Sequence, residues 1–163
     1  MITTLPSIRI HPSRLQVVAN EWPAIVCVIV LTAVSCSDGF VHERAMPYIY
    51  GTILALILYL AYRYVYITRT VYEITAEQLK HEYGLFSRRR SYIELYRIVD
   101  YSEQRSFLQM ILGLKTVSIY SGDRTHPRLD IIGIDNRLQL IPEIRERVEF
   151  NKRYRNIHEF TNM

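Results

Sequence analysis

The sequence predicts a membrane-anchored α+β protein, in which a two-helix transmembrane hairpin precedes a curled antiparallel β-sheet domain with a C-terminal capping helix. Three observations support this fold class. Residues 17–66 contain two long apolar runs, whereas residues 67–163 contain most of the charged side chains. Short stretches of alternating apolar and polar residues follow Thr70, and a helix-periodic stretch comes near the C-terminus. The 163 residues therefore allow one small soluble domain behind a membrane segment.

The second apolar run is the stronger candidate span. Residues 46–65 would form a helix about 30 Å long, which matches the hydrocarbon thickness of a bilayer. Pro47 suits the first helical turn, because a helix leaves that N–H unbonded. Tyrosines mark both ends, as in the aromatic belts of membrane proteins. They are Tyr48, Tyr50, Tyr62, Tyr64 and Tyr66.

The first apolar run, residues 22–37, carries no charge but is at the short end for a span. Asn20 and Pro23 resemble a helix start, and Trp22 would lie at the membrane interface. A short polar turn links this run to the second. The two runs together predict a transmembrane hairpin over residues 20–66.

The positive charges around the spans predict their orientation. The arginines beside the outer ends of the hairpin are Arg9, Arg14, Arg63 and Arg69. The connecting turn, residues 38–44, contains only Arg44. Positive flanks stay in the cytoplasm, so we expect a multi-pass protein of the cytoplasmic (inner) membrane with both termini cytoplasmic. The net charge of +4 then indicates an anionic leaflet nearby before it indicates nucleic acid.

The N-terminal residues 1–19 are predicted as an irregular cytoplasmic arm at the membrane surface. A secretory signal is the alternative, since residues 33–36 resemble a lipoprotein cleavage site that would leave Cys36 lipidated. Ala33 fits that pattern poorly, and a full span follows almost at once. Cys27 and Cys36 both fall in the first span and face different sides of a helix, so they support neither a disulfide nor a metal site.

The soluble domain, residues 70–155, is predicted as a series of strands followed by a helix. The strands lie at residues 71–75, 79–83, 85–92, 98–105, 115–120 and 129–134. Gly133 indicates a bulge in the last strand. A helix begins near Ile141, and its apolar stripe contains Ile141, Ile144 and Val148. Residues 156–163 are expected to form a frayed tail.

A very short helix is predicted between the fourth and fifth of these strands. Ser106 and Gln109 have the spacing of a capping box, and Gly113 suits the end of the helix over residues 107–112. The helix is apolar nearly all round, so something must cover it. The domain's own core is the favoured cover, and a second protein or the bilayer is the alternative. The candidate apolar interface is Phe107, Leu108, Met110 and Ile111.

The ordered series of elements from Tyr72 to Ile134 resembles a known family. Tyr72-Glu73-Ile74-Thr75, the run that ends in Gln104-Arg105-Ser106, and Leu112-Gly113 are similar to the bacterial pleckstrin-homology (PH-like) domain of YdbS-type membrane proteins. The resemblance covers about residues 46–150. It implies a PH-like domain behind a pair of transmembrane helices. Lipid-binding PH domains carry basic residues in their first loop, but residues 75–78 contain one acid and no base, which argues against specific inositol phosphate recognition.

The strongest charge clusters are candidate contacts for anionic lipid headgroups or an acidic partner. They comprise Arg88, Arg89 and Arg90 on the third strand, and Arg124 and Arg128 in a later loop. Alternation would place Arg88 and Arg90 on one face of the strand and Arg89 on the other. The competing interpretation is a solvated sheet face or edge, charged against unwanted pairing.

Two residue pairs in the hairpin are further candidates. Glu21 and Arg63 lie near the inner ends of the two spans, where they would either form an ion pair or extend separately to the headgroups. Gly51 and Ala55 have the small-x-x-x-small spacing that permits close helix packing, within the chain or between chains.

The sequence contains no catalytic motif. Its five histidines are scattered without metal-ligand spacing, and its glycines form no phosphate-binding loop. We therefore expect no enzyme activity and no cofactor. The favoured function is protein–protein interaction or self-association at the cytoplasmic membrane face. The alternatives are an anionic-lipid sensor and an accessory subunit of a membrane transport or stress-resistance assembly.

Overall fold

A computed structural model describes residues 6–37, 42–85, 87–124 and 126–154. The elements in chain order are β1 (Ile8–Ile10), α1 (Leu15–Cys36), α2 (Met46–Arg69), β2 (Val71–Ile74), β3 (Gln78–Tyr83), β4 (Arg89–Glu94), β5 (Ile98–Gln104), α3 (Phe107–Ile111), β6 (Leu114–Ser121), β7 (Arg128–Asp135) and α4 (Leu140–Tyr154). This is the expected α+β class, with two long apolar helices, strands and a final helix. The predicted tail and residues 38–41 of the connecting turn lie outside the described residues.

The strands form two antiparallel sheets that enclose one core. The first sheet has the order β1-β2-β3-β4 and the second the order β5-β6-β7. Ile74, Leu79, Ile119 and Ile131 from the two sheets are fully buried. Helix α4 covers this core with Leu140, Ile144 and Val148, whereas Ile141 is only half-buried. The helix and its apolar stripe therefore begin one residue earlier than predicted.

The N-terminal segment is part of the domain, so the prediction of an irregular arm over residues 1–19 is wrong for its described part. Ile8–Ile10 pairs antiparallel with β2, with Ile8 opposite Ile74 and Ile10 opposite Tyr72. Helices α1 and α2, called here the apolar hairpin, are thus inserted between two neighbouring strands of one sheet. The chain consequently enters and leaves the apolar hairpin at the same end.

Helix α1 begins at Leu15 rather than at residue 22. The signals at Asn20 and Pro23 instead mark a kink, because Glu21 has non-helical angles of φ −107° and ψ 17°. A proline inside a helix lacks the N–H for the ladder, and its ring clashes with the carbonyl four residues earlier. The turn before the kink packs on the domain, where Val17 is buried.

Both helices of the apolar hairpin are long and apolar enough to cross a membrane. Leu15–Cys36 and Glu43–Arg69, which includes a 3₁₀ turn before α2, have hydropathies of 2.0 and 1.6, and few of their residues are buried within the chain. Helix α2 extends beyond residue 65 to Arg69 and leads directly into β2. The domain therefore begins without a linker at the end of the second candidate span.

The predicted strands occur in the predicted order, and the largest difference in their bounds is at the third. The third predicted strand begins at Arg89 rather than at residue 85, because the chain turns at Gly84, whose φ is +109°. Gly133 has a φ of +67°, and the pairing of β6 with β7 shifts register beside it, between Lys115 and Val117. This confirms the predicted bulge, which a glycine accommodates most easily.

Candidate functional site

Helix α3 presents its apolar side chains to the outside of the domain. Phe107, Met110 and Ile111 are 71%, 59% and 65% exposed, and Leu108 is half-buried. The one polar residue of the helix, Gln109, is instead 5% exposed. The expectation that the domain's own core covers this helix is therefore wrong. Most of its apolar surface is uncovered within the described chain.

The hydrogen bonds of Gln109 explain why the polar side of α3 is buried and its apolar side exposed. Its backbone N–H donates to Ser106 Oγ at 3.3 Å, and its Oε1 accepts from the Ser106 N–H at 3.0 Å, which is the predicted capping box. Its Nε2 donates to Gln16 Oε1 on α1 at 3.0 Å and to Thr116 Oγ1 on β6 at 2.8 Å. Because a buried amide needs these partners, the polar side of α3 is held inward and the apolar side turns outward.

A cleft of about 370 Å³ joins α3 to the kinked region of α1. Its lining residues are Ala19, Trp22, Ser106, Phe107 and Leu108. The indole of Trp22 is itself exposed. The exposed side chains of α3 and this tryptophan therefore form one surface, called here the apolar patch. Its members are Trp22, Phe107, Met110 and Ile111.

The turn between β3 and β4 approaches the other helix of the apolar hairpin. A cleft of about 260 Å³ lies where α2 ends, and its lining includes His11, Arg69, Glu82 and Arg88. The Glu82 carboxylate already pairs with Arg90, since Oε1 lies 2.8 Å from the Arg90 Nε. The remaining groups at this cleft are cationic or neutral, so it favours an anion.

A second cleft, of about 250 Å³, lies further back along α2. Tyr62 and Tyr66 of the helix line it together with Arg89. Arg69, Arg88 and Arg89 are all exposed, and none of them forms an ion pair within the described part of the chain. We call the residues of both clefts that carry or can carry positive charge the basic corner. They are His11, Arg69, Arg88 and Arg89.

The three consecutive arginines have different surroundings. Arg88 precedes β4, so the predicted alternation does not govern its direction. Arg90 lies opposite Glu82 in the sheet register, and their ion pair is a cross-strand contact. Arg90 therefore stabilises the sheet, whereas Arg88 and Arg89 are available to a ligand.

The later loop forms a weaker cationic spot. Arg128 Nε lies 2.8 Å from Asp130 Oδ1, and its guanidinium stands over the Tyr120 ring at 5.6 Å. The hydrogen bond that Arg128 donates to the Asp130 carboxylate raises the pKa of Arg128 and so keeps the guanidinium charged. Arg124 is exposed. The pairing of Arg128 leaves Arg124 as the main cation of this spot.

The structure brings Glu21 and Arg63 together between α1 and α2. Arg63 Nε donates to Glu21 Oε1 at 2.6 Å, and Tyr59 Oη donates to Glu21 Oε2 at 2.8 Å. The carboxylate side chain is 10% exposed and the arginine 29%. Of the two arrangements left open by the sequence, the structure has the ion pair.

The small residues of α2 do not pack inside the apolar hairpin. Gly51 and Ala55 are exposed, and a Cβ added at Gly51 would have nothing within 4 Å. Cys27 and Cys36 are exposed free thiols. Among the residues that the structure describes, no group of three or more His, Cys, Asp or Glu could hold a metal ion.

His81 gives the domain an expected sensitivity to acid. Its ring stacks between Tyr72 and Tyr83, with centroids 4.7 Å apart on both sides. Burial, and secondarily the charge of nearby His126, lowers the pKa of His81 to about 4. The unfolded chain binds this proton near pH 6.5, so stability should fall as the pH drops from about 6.5 to about 4. Because the ring is only partly buried, we expect a loss of about 1–2 kcal/mol.

Thermal unfolding in detergent at neutral and acid pH measures this effect. The variant His81→Phe keeps an aromatic ring in the stack but cannot take a proton, so its Tm should change less between the two pH values. His42→Gln, at the opposite end of the apolar hairpin, is the matched control and should behave as wild type. An unchanged acid response in His81→Phe would assign the effect to other groups.

Several residues of this region carry no strong sequence signal of their own. His11 and Arg69 join the basic corner only because β1 pairs with β2 and α2 continues into the domain. Gln16 looks like a boundary residue but contacts α3. Gln109 is the exception, because the single polar residue of an apolar helix could have predicted which side of α3 faces inward. Such a residue marks the side that the protein holds inward through hydrogen bonds.

Comparison with known proteins places the chain in a family. No curated protein and no solved structure shows significant similarity to it. A family model described as Bacterial PH domain matches residues 14–148. The match covers most of the chain and spans both the apolar hairpin and the two sheets. The chain therefore belongs to the bacterial PH domain family, as the series of elements from Tyr72 to Ile134 suggested.

Proposed function

We propose that this chain is a non-enzymatic, membrane-anchored PH-like module whose basic corner binds anionic lipid headgroups. The apolar hairpin spans the cytoplasmic membrane, and the domain lies on the cytoplasmic side. The observation that carries the proposal is the location of the basic corner beside Tyr62 and Tyr66 at the end of α2. Tyrosines at the end of a span lie at headgroup level, so the arginines are at the height of the lipid phosphates.

The topology supports this orientation. Pairing of β1 with β2 puts both outer ends of the apolar hairpin on one side, next to the domain. Arg9, Arg14 and Arg69 are at this side, whereas Arg44 is the one arginine beside the connecting turn. The excess of positive charge favours the cytoplasmic face.

The chemistry of the basic corner suits a phosphate group. Arg88 and Arg89 are exposed and form no ion pair within the described residues, so they lose no existing partner when an anion binds. A guanidinium can donate two parallel hydrogen bonds to phosphate oxygens. Near an anionic surface each such cation contributes about 1 kcal/mol.

Retention of lipid by the purified full chain tests the proposal. The chain is held in a neutral detergent with equal amounts of phosphatidylglycerol and phosphatidylcholine, and the bound lipid is measured by native mass spectrometry. We expect phosphatidylglycerol to bind preferentially. The double variant Arg88→Gln/Arg89→Gln should lower its apparent affinity by about 30-fold, from two contributions of about 1 kcal/mol.

The control removes the same charge from another surface. Arg145→Gln/Arg153→Gln changes two exposed arginines of α4 and should keep the lipid preference. Equal retention of the two lipids by wild type would contradict the proposal. So would an equal loss of affinity in both double variants, because the effect would then follow net charge alone.

Association with a partner protein or a second copy is the second candidate, and it includes a role as an accessory subunit. The outward position of Gly51 and Ala55 on α2 favours it, because small residues allow another helix to approach closely. Crosslinking in native membranes separates the two candidates. A chain that forms no crosslinked species and prefers anionic lipid supports the first, and a crosslinked species abolished by Gly51→Leu supports the second.

A further inference from the structure

The apolar side chains of α3 are held on the outside of the domain, where another surface must cover them. The α3 members of the apolar patch are exposed, while the only polar side chain of that helix is buried against Gln16 and Thr116. The hydrogen bonds that Gln109 donates to α1 and β6 thus fix which side of α3 faces outward. A folded domain gains nothing by exposing phenylalanine, methionine and isoleucine side by side unless another phase or surface covers them.

The height of the patch relative to the apolar hairpin can be read from the ion pair between the two helices. Glu21 directly precedes Trp22, and Arg63 directly follows Tyr62. Because Glu21 and Arg63 are bonded at 2.6 Å, Trp22 and Tyr62 lie at about the same height along the hairpin. The cleft between α1 and α3 brings Phe107 to the same region as Trp22.

We infer that the apolar patch lies in the bilayer, with the exposed side chains of α3 inserted at the boundary between headgroups and acyl chains. The inference rests on the proposed spanning role of the apolar hairpin, and it adds an apolar membrane contact to those of the two helices and the basic corner. Apolar faces of this kind bury themselves about 5–10 Å into that boundary layer. Trp22 is of a residue type enriched in this layer, and phenylalanine is common on the apolar faces of helices that lie in it.

The two contacts would hold the domain in one orientation. The basic corner lies beside α2, and the apolar patch lies beside α1. One contact is polar and electrostatic, and the other is apolar. Together with the direct connection of α2 to β2, they restrict rotation of the domain about the axis of the hairpin.

Tryptophan quenching by brominated lipids tests the inference in the full chain. The protein has one tryptophan, Trp22, so a second position is examined in the background Trp22→Phe. The variants Phe107→Trp and Ile111→Trp each place an indole on the exposed side of α3. Both are reconstituted into bilayers whose acyl chains are brominated near the carboxyl end.

The control variant, Phe150→Trp in the same background, places the indole far from the apolar hairpin. Phe150 is exposed on α4, next to Asn151, whose Nδ2 donates to the Ala76 carbonyl at 2.6 Å. Ala76 lies in the turn after β2, at the end of that strand remote from α2. The strand separates the two ends by about 13 Å.

We expect indoles at positions 107 and 111 to be quenched to a similar degree as native Trp22, while the control keeps its intensity. Intensity equal to the control at both positions would overturn the inference, and so would blue-shifted emission without quenching, which indicates a protein cover. Native Trp22 separates this failure from a failure of the proposed function. If Trp22 is quenched and positions 107 and 111 are not, the hairpin enters the bilayer but α3 does not.

Discussion

Replacing Glu21 by leucine is expected to destabilise the protein by about 3 kcal/mol, because the variant leaves the Arg63 guanidinium without its partner between two apolar helices. In the wild-type protein Arg63 donates to Glu21 at 2.6 Å, and Tyr59 donates to the other carboxylate oxygen at 2.8 Å. The substitution removes both acceptors together. Thermal unfolding of the full chain in a neutral detergent measures the loss as a lower Tm.

The double variant Glu21→Leu/Arg63→Met is the control for this prediction. It removes both charges and replaces them with apolar side chains, and such exchanges are often neutral or even stabilising. We therefore expect it to recover most of the Tm lost in Glu21→Leu. If the single and double variants lose the same stability, the cost comes from altered packing at the kink and the ion pair contributes little.

The parts of the fold that depend on local signals could be predicted from the sequence. The capping box of Ser106 and Gln109 and the bulge at Gly133 are encoded within a few residues, and both occur where expected. The class of fold followed from the segregation of apolar and charged stretches. In each case the physical cause lies near the residues that carry the signal.

The parts that depend on distant partners could not be predicted. Ile8–Ile10 is too short for a strand period to be visible, and its partner β2 follows only after the whole apolar hairpin. The orientation of α3 depends on Gln16, which is 93 positions away from Gln109 in sequence. An apolar helix next to a small core is ordinarily taken to be buried in it. Here the hydrogen-bonding demand of one amide outweighs that tendency.

The composition of the basic corner also depends on residues that are distant in sequence, so the sequence predicts only part of it. The three arginines at 88–90 are visible in the sequence. The register of β3 with β4 explains why Arg90 pairs with Glu82, whereas Arg88 and Arg89 form no ion pair with any residue that the structure describes. The additional cations at His11 and Arg69 come from segments on either side of the apolar hairpin. This candidate site forms where separate segments of the chain meet in the fold. The sequence alone therefore reveals only the run of consecutive arginines.

Gly133→Ala is expected to destabilise the protein by about 3 kcal/mol, by combining backbone strain with a clash. The residue has a φ of +67°, and an added Cβ would lie 2.8 Å from the Cβ of Gln16. Gln16 cannot move away freely, because its side chain bonds to Asn20 at 2.8 Å and to Gln109 at 3.0 Å. The first turn of α1 must therefore shift away from β7.

Gly113→Ala separates the two contributions. Gly113 also has a φ of +67°, but an added Cβ would have nothing within 4 Å, so this variant should cost only the left-handed strain, about 1 kcal/mol. The emission of Trp22, which lines the cleft between α1 and α3, gives an independent reading of the shift. We expect it to change in Gly133→Ala and to stay as in wild type in Gly113→Ala. Equal losses of stability with unchanged emission would mean that α1 accommodates the added methyl group without shifting, and that the close approach of Gly133 to Gln16 does not hold α1 in place.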